Sequence, residues 1–122
     1  MLNKDDVRRM VKDNDVDVIR LWFTDILGRI KGFNLPSDEL DNVLEEGHGF
    51  DGSSVEGFVR IEESDLLVIP DPRTFRILPW EHGGVRSAIL ICDVTYPDGT
   101  PFECDPRYIL RKTLKKSRES GF

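Results

Sequence analysis

A short glycine-rich segment, HGFDGSSVEGF (His48–Phe58), carries the residues of this sequence that are best suited to chemistry. Phosphate-binding loops combine glycines with a lysine, or place them between a strand and a helix. This segment has no lysine or arginine and follows a predicted helix, and the carboxylates of Asp51 and Glu56 would repel phosphate oxygens. A carboxylate beside the hydroxyls of Ser53 and Ser54 is instead a cluster of hydrogen-bond acceptors, which suits a cation or an amine.

The same residues also fit a purely structural role. Asp51 could cap its own backbone in an Asx turn, and the two serines could cap the element that follows. Gly52 lets the chain turn beside the carboxylate without a steric penalty. Spacing alone leaves both interpretations open.

Other candidate residues give weaker signals. RIEESD (Arg60–Asp65) offers three carboxylates, but consecutive strand residues alternate between faces, so a solvated edge strand is favoured over a metal site. His48 and His82 have no second histidine at ligand spacing and are predicted to be surface turn residues. Phe58 would be an exposed ring in a polar loop. Because no metal cluster and no nucleophile–base pair is visible, the sequence predicts part of a larger site.

The composition predicts one water-soluble domain. Of the 122 residues, 39% are apolar and 33% are charged, which is typical of a globular chain with a modest core. No apolar run reaches the roughly 18 residues that span a bilayer, and the charged start lacks the apolar core of a signal peptide. Cys92 and Cys104 show no metal or redox spacing, so reduced thiols are expected. We therefore expect a cytoplasmic protein that does not bind membranes.

The charge is distributed unevenly along the chain. The net charge is −6, yet the last sixteen residues hold six basic side chains and one acidic side chain. The acidic remainder argues against binding of nucleic acid. The basic end is interpreted as a solvated helix with cations near its C-terminus.

The elements that must position the segment can also be predicted. NKDDVRRMVKDND is typical of a helix capped by Asn3, and two strands at Val18–Thr24 and Arg29–Leu35 form a hairpin around Gly28. A second helix, SDELDNVLEEG, is predicted to begin at a Ser37 cap and to end at Gly47. The acidic segment follows it directly, as a loop.

The second half of the chain is predicted to form several strands followed by a helix. DLLVIPDP and FRILPW are short strands punctuated by prolines, and SAILICDVTY is apolar enough for a central strand. A final helix begins after an Asp105 cap with Pro106 in its first turn. This order predicts an α+β domain with a small mixed sheet covered on one face, of the ubiquitin-like or β-grasp type.

The longest recognisable motif is FDGSSVEGFVRIEESDL (Phe50–Leu66), which closely resembles the N-terminal signature of glutamine synthetase in its type I bacterial and archaeal form. The flanking segments VIRLWFTDILGRIKGFNLP, VIPDPRTFRILPW and ILICDVTYPDGTPFECDPRYILRK resemble the same family. The resemblance covers essentially all of the chain. It implies a β-grasp domain over residues 1–104 and the start of a linker helix over residues 105–122.

The resemblance also implies what this chain would lack. In the family, a larger catalytic domain supplies the divalent-metal glutamates, the ATP site and most of the glutamate site. ATP and Mg or Mn would therefore belong to the full-length enzyme, with none bound by this domain alone, and the 122-residue piece is predicted to be inactive. The family enzyme joins ammonia to glutamate through γ-glutamyl phosphate. Its active sites lie between subunits of a homo-oligomeric dodecamer, so the domain's partners would be glutamate, ammonium and ATP at a neighbour's catalytic domain.

Site residues follow from the resemblance, position by position. Asp51 matches the loop aspartate that binds and deprotonates ammonium, and Ser54 matches a serine beside it, so both are catalytic candidates. Phe58 falls where many members have an aromatic residue near the nucleotide. Arg60 matches an arginine linked to glutamine feedback in some Gram-positive enzymes. No metal ligand is predicted.

Two other functions remain open at this point. The first is a γ-glutamyl ligase for another amine, such as a polyamine, which the amine pocket of the full-length chain would decide. The second is a stand-alone ubiquitin-like binding module without a catalytic role. A reading frame that continues into a domain with clustered metal-binding glutamates would exclude the second.

Overall fold

The structure is a computed structural model that describes residues 1–52 and 65–121. It contains three α-helices, two short 3-10 turns and six strands among these residues. The helices are α1 (Lys4–Asp13), α2 (Leu40–Glu46) and α3 (Pro106–Glu119). The strands are β1 (Val18–Thr24), β2 (Ile30–Pro36), β3 (His48–Asp51), β4 (Asp65–Pro70), β5 (Arg76–His82) and β6 (Val85–Thr95).

The sheet is mixed and is organised around β6. Its hydrogen-bonded order is β2-β1-β6-β4-β3, and β5 also pairs with β6. The β1–β6 ladder is parallel, whereas the other ladders are antiparallel. The first part of the eleven-residue β6 contacts β1 and β5, and its last part contacts β4. The predicted central strand and the predicted hairpin are both confirmed.

The core lies between one face of the sheet and the first two helices. In β1, Ile19, Leu21 and Phe23 are buried and alternate with partly exposed neighbours, as expected for a half-buried strand. The same cluster includes apolar residues of the helices, of the other strands and of the connecting segments: Val7, Val11, Val16, Leu40, Val43, Leu44, Leu66, Val68, Phe75, Ala88, Leu90, Cys92, Val94 and Phe102. Complete burial of a side chain such as Leu90 contributes about 1.5–3 kcal/mol.

The helix ends follow the sequence in two cases and differ in one. Asn3 forms a capping box with Asp6, and the Asp105 carboxylate accepts a hydrogen bond from Arg107 N–H at the start of α3. The predicted Ser37 cap is wrong. Ser37 begins a 3-10 turn after Pro36, and α2 starts only at Leu40, without a side-chain cap.

The acidic segment does not begin as a loop, which corrects a second expectation. His48–Asp51 forms β3, which pairs with β4 directly after α2 ends at Gly47. The local composition favoured a loop, but the ladder with β4 and the packing of the Phe50 ring outweigh that preference. No helix among the described residues is long and apolar enough to cross a membrane.

Candidate functional site

Asp51 is the last residue of β3, and its position follows from the register with β4. Phe50 pairs with Leu66, and Asp51 pairs with Asp65. The two paired aspartates therefore flank residues 52–64, which contain the rest of the acidic segment. Both side chains are exposed. The candidate site is thus placed at one end of the sheet, where β3 stops and β4 starts.

The Asp51–Asp65 pair brings two carboxylates onto the same face of the sheet. Directly opposed residues of an antiparallel pair have Cβ atoms about 4.5–5.5 Å apart, and like charges in such positions are destabilising. The pairing could not be predicted from spacing, because thirteen residues separate the two strands and only the register brings the carboxylates together.

Gly47 sets the direction in which the chain enters β3. Its φ angle is +74°, in the left-handed region that favours glycine. A Cβ atom there would lie 2.6 Å from Ile69 Cδ1 and 2.9 Å from the Val68 carbonyl oxygen. Both the conformation and the close approach to β4 therefore require glycine. The predicted helix stop is confirmed and is also a packing contact.

Aromatic rings hold the inner face of β3. The Phe50 ring centroid lies 5.3 Å from that of Phe23 and 5.4 Å from that of Phe33. The His48 ring lies 4.8 Å from Phe33. His48 is therefore a half-buried strand residue and not the predicted surface turn residue, whereas His82 is exposed at the end of β5.

The other predicted site residues lie outside the described residues. These are Ser54, Phe58 and Arg60. In the segment RIEESD, only Asp65 is described. It begins β4, which lies between β6 and β3 and not at an edge of the sheet, so the edge-strand interpretation of this segment is wrong for Asp65.

At the other end of β4, an ion-pair network fastens α3 to the sheet; we call it the α3 anchor (Asp71, Arg73, Asp93, Arg107 and Arg111). The Arg107 guanidinium bonds Asp71 and Asp93 at 2.8 Å each. Arg73 bonds Asp71 at 2.9 Å and Arg111 bonds Asp93 at 3.0 Å. Sequence reasoning missed this network, because its members come from separate segments and carry no local pattern.

Arginine partners and burial shift the pKa values of several groups around the α3 anchor. The guanidinium of Arg73, with that of Arg107, holds the pKa of the Asp71 carboxyl well below its usual range. Burial raises the pKa of Asp105, against the opposing effect of its hydrogen bonds from Val94 N–H and Arg107 N–H. Burial also raises the pKa of the Cys92 thiol, which keeps that group protonated and unreactive at neutral pH.

The described residues do not form a metal centre of their own. Within 1–52 and 65–121, no group of three or more His, Cys, Asp or Glu side chains converges in a way that could hold an ion. Asp51 of β3 and Asp65 of β4 supply two carboxylates, which is fewer than the three protein ligands of a catalytic zinc site. The site can attract a monovalent cation or an amine and accept a proton from it.

Comparison with known sequences matches this chain to one protein family. The family model described as "Glutamine synthetase, beta-Grasp domain" matches residues 15–97. Glutamine synthetase of Mycobacterium tuberculosis strain H37Rv is 49% identical over 121 residues, which are 98% of this chain and 27% of that protein. The Staphylococcus aureus enzyme is 51% identical over 119 residues, with the same coverage. The chain thus spans about a quarter of the length of these curated relatives.

Solved structures agree with this match. Plasmodium falciparum glutamine synthetase, determined by cryo-EM, superposes with a TM-score of 0.87 at 27% identity, over 99% of this chain and 23% of that chain. A structure described as a GmaS/ADP complex in conformation 1 gives a TM-score of 0.83 at 25% identity, over 98% and 26%. The predicted α+β fold of the β-grasp type is confirmed.

Proposed function

The chain belongs to the family of glutamine synthetase β-grasp domains, and from this premise we propose that it is the N-terminal domain of a glutamine synthetase and completes an active site between subunits. The parent protein would join ammonia to glutamate at the expense of ATP. The single observation that carries the site assignment is the place of Asp51, exposed at the end of β3 and opposite Asp65. An exposed carboxylate pair at the rim of a domain lies where a neighbouring subunit can contact it.

Asp51 has two roles in this proposal. Its negative charge, together with that of Asp65, attracts ammonium. Its carboxylate oxygen then accepts one N–H proton, which leaves the nitrogen lone pair of ammonia free to attack the γ-carbonyl carbon of γ-glutamyl phosphate. The new C–N bond replaces the bond from that carbon to the phosphate oxygen, and inorganic phosphate leaves. A carboxylate at hydrogen-bond distance is a suitable general base for this transfer. Asp65 contributes charge and does not contact the reacting atoms.

Three further residues are assigned from the family resemblance alone. Ser54 would lie beside the ammonium, Phe58 near the nucleotide, and Arg60 would take part in feedback by glutamine. ATP and Mg or Mn, which activate glutamate when bound, are assigned to the part of the parent protein outside this chain. The assembly is proposed to be a dodecamer, with residues 1–104 as the β-grasp domain and 105–122 as the start of the linker helix.

The test is a chimera in which this chain replaces the matching portion of the S. aureus relative. We expect the chimera to form glutamine and the isolated 122-residue chain to form none. Asp51→Asn in the chimera should lower the rate of glutamine formation by about 10²–10⁴-fold, with an unchanged KM for ATP. Asp13→Asn, an exposed aspartate at the end of α1, is the matched control and should have no effect.

The choice of amine is tested in the same assay. Ammonium, methylamine and putrescine are compared as acceptors at equal concentration. If putrescine is the preferred acceptor, the parent enzyme ligates this amine and not ammonia to glutamate, and Asp51 is the base that deprotonates the amine. Unchanged ammonium kinetics in the Asp51→Asn chimera would contradict the role assigned to Asp51.

A further inference from the structure

The two edges of the sheet approach each other without hydrogen bonding. β2 and β3 are the terminal strands of the order β2-β1-β6-β4-β3, and no ladder joins them among the described residues. Nevertheless, Phe33 of β2 lies 4.8 Å from His48 and 5.4 Å from Phe50, measured between ring centroids. The sheet is therefore curled, and side chains close the gap between its edges. We call these three residues and Phe23 the aromatic seam.

Among the described residues, Phe23 and Phe33 contact the side of β3 that carries His48 and Phe50. His48 and Phe50 point into the aromatic seam and are half-buried, whereas Gly49 and Asp51 lie on the opposite side and are exposed. Side chains alternate along a strand, so rings fixed on one side determine where the other side points. The rings at His48 and Phe50 therefore contribute to the direction of the Asp51 side chain.

The backbone of β3 supplies little of this constraint by itself. Within residues 1–52 and 65–121, the four-residue strand has β4 as its one pairing partner. A short edge strand with one partner can fray at its ends, and Asp51 is the last residue of β3. Phe33 and Phe23 belong to the β1–β2 hairpin, which is tied to the centre of the sheet through the parallel β1–β6 ladder.

We propose that Phe33 and His48 are positioning residues for Asp51, acting across the aromatic seam. The hairpin, remote from β3 in hydrogen-bond order, then sets the orientation in which the carboxylate meets the amine. This inference rests on the proposed function of Asp51. Neither ring contacts a substrate in this scheme, and both act through the strand.

The first experiment measures β3 in the 122-residue chain by amide hydrogen exchange. Phe33→Leu and, independently, His48→Ser should speed exchange at residues 48–51 by about tenfold or more, as expected for local opening, while β1 and β6 keep their protection. His48→Phe retains a ring, so amide exchange at residues 48–51 should be as slow in this variant as in the parent chain. Phe75→Leu is the matched control, because Phe75 is 1% exposed in the core outside the seam. Unchanged exchange at residues 48–51 in both seam variants would overturn the proposal.

The second experiment measures kinetics in the chimera. Phe33→Leu should raise the KM for ammonium by about 3–10-fold, because small displacements of a catalytic group weaken its action, with an unchanged KM for ATP. Phe75→Leu should lower stability without this selective change. If Asp51→Asn impairs ammonium use but Phe33→Leu leaves its KM unchanged, the positioning role is wrong and the proposed function stands. If Asp51→Asn has no effect on ammonium kinetics, both fail.

Discussion

The α3 anchor and the aromatic seam hold two ends of the same sheet by different forces. The anchor joins charged groups through bonds of 2.8–3.0 Å, and its central carboxylate, Asp71, is 8% exposed. The seam joins rings whose centroids lie 4.8–5.8 Å apart; Phe33, His48 and Phe50 are half-buried, whereas Phe23 is buried. Bidentate ion pairs admit one geometry, whereas ring contacts tolerate several. The ion pairs therefore hold α3 in one orientation on the sheet. At the other end, the orientation of Asp51 depends on how the rings of the seam pack.

The largest effect on stability is expected at the α3 anchor. Arg107→Met should lower the free energy of unfolding by about 3 kcal/mol, since it leaves Asp71 and Asp93 without their shared partner in a poorly solvated place. Urea titration measures the change. Arg9→Met is the control, because Arg9 pairs with Asp6 at an exposed site and should contribute under about 1 kcal/mol. Equal losses in the two variants would remove the distinction between anchor and surface pair.

A smaller loss is expected where the chain enters β3. Gly47→Ala should cost about 2–3 kcal/mol, because it combines a left-handed backbone with overlap of the new Cβ and β4. Gly28→Ala isolates the backbone part, since Gly28 has a φ of +79° but open space around it, and should cost about 1 kcal/mol. Both values come from urea titration. A Gly47→Ala loss no larger than that of Gly28→Ala would show that β4 yields to the added methyl group.

Acid should weaken the α3 anchor and spare the apolar core. The pKa of Asp71 is lower in the folded than in the unfolded chain, so its stabilising contribution is full at neutral pH and declines as the pH falls below about 4. The stability difference between the parent chain and Asp71→Asn should shrink by about 1 kcal/mol from pH 7 to pH 3. The difference between the parent chain and Phe75→Leu should stay constant over the same range, because Phe75 lies in the apolar core outside the anchor and the seam. A parallel decline of both differences would mean that the acid effect is global.

The smallest effect is a difference in thiol reactivity. Cys92 is buried in β6 with a raised pKa, whereas Cys104 is partly exposed, and both are free thiols. A thiol reagent should modify one cysteine per folded chain and two in urea. Arg107→Met should speed the slow reaction at Cys92 more than Gly47→Ala does, since Cys92 lies next to Asp93 of the anchor. Equal acceleration would indicate that the two ends of the sheet open together.

Local sequence patterns predicted most of the elements. β1 has the predicted bounds, because Val18–Thr24 alternates buried and half-buried side chains. Asn3 and Asp105 cap their helices as expected. Local reasoning failed where contacts from elsewhere decide the conformation. Ser37 follows a proline that leads into a 3-10 turn, and β3 exists because of β4 and the rings of the hairpin.

Asp51 could be predicted as a site residue from the sequence, whereas the contacts that position it could not. Asp51 was found because its motif resembles a known family and its neighbours are acceptors. Its opposition to Asp65 depends on the register of two strands, and the seam depends on the curl of the whole sheet. The α3 anchor joins Asp71 to Arg107 across 36 residues of sequence. Such long-range pairings leave no trace in local composition.

The parallel ladder between β1 and β6 has a consequence for how the chain folds. Asp17 and Arg86, which are hydrogen bonded beside this ladder, are 69 residues apart. Closing so long a loop must precede the contacts that compensate its entropy, so pairing of this kind is slow. During synthesis, the hairpin and the first two helices can form early. The apolar face of β1 is buried in the complete core only after β6 has left the ribosome. Because β4 docks on β6 and β3 on β4, Asp51 is expected to reach its place among the last steps of folding.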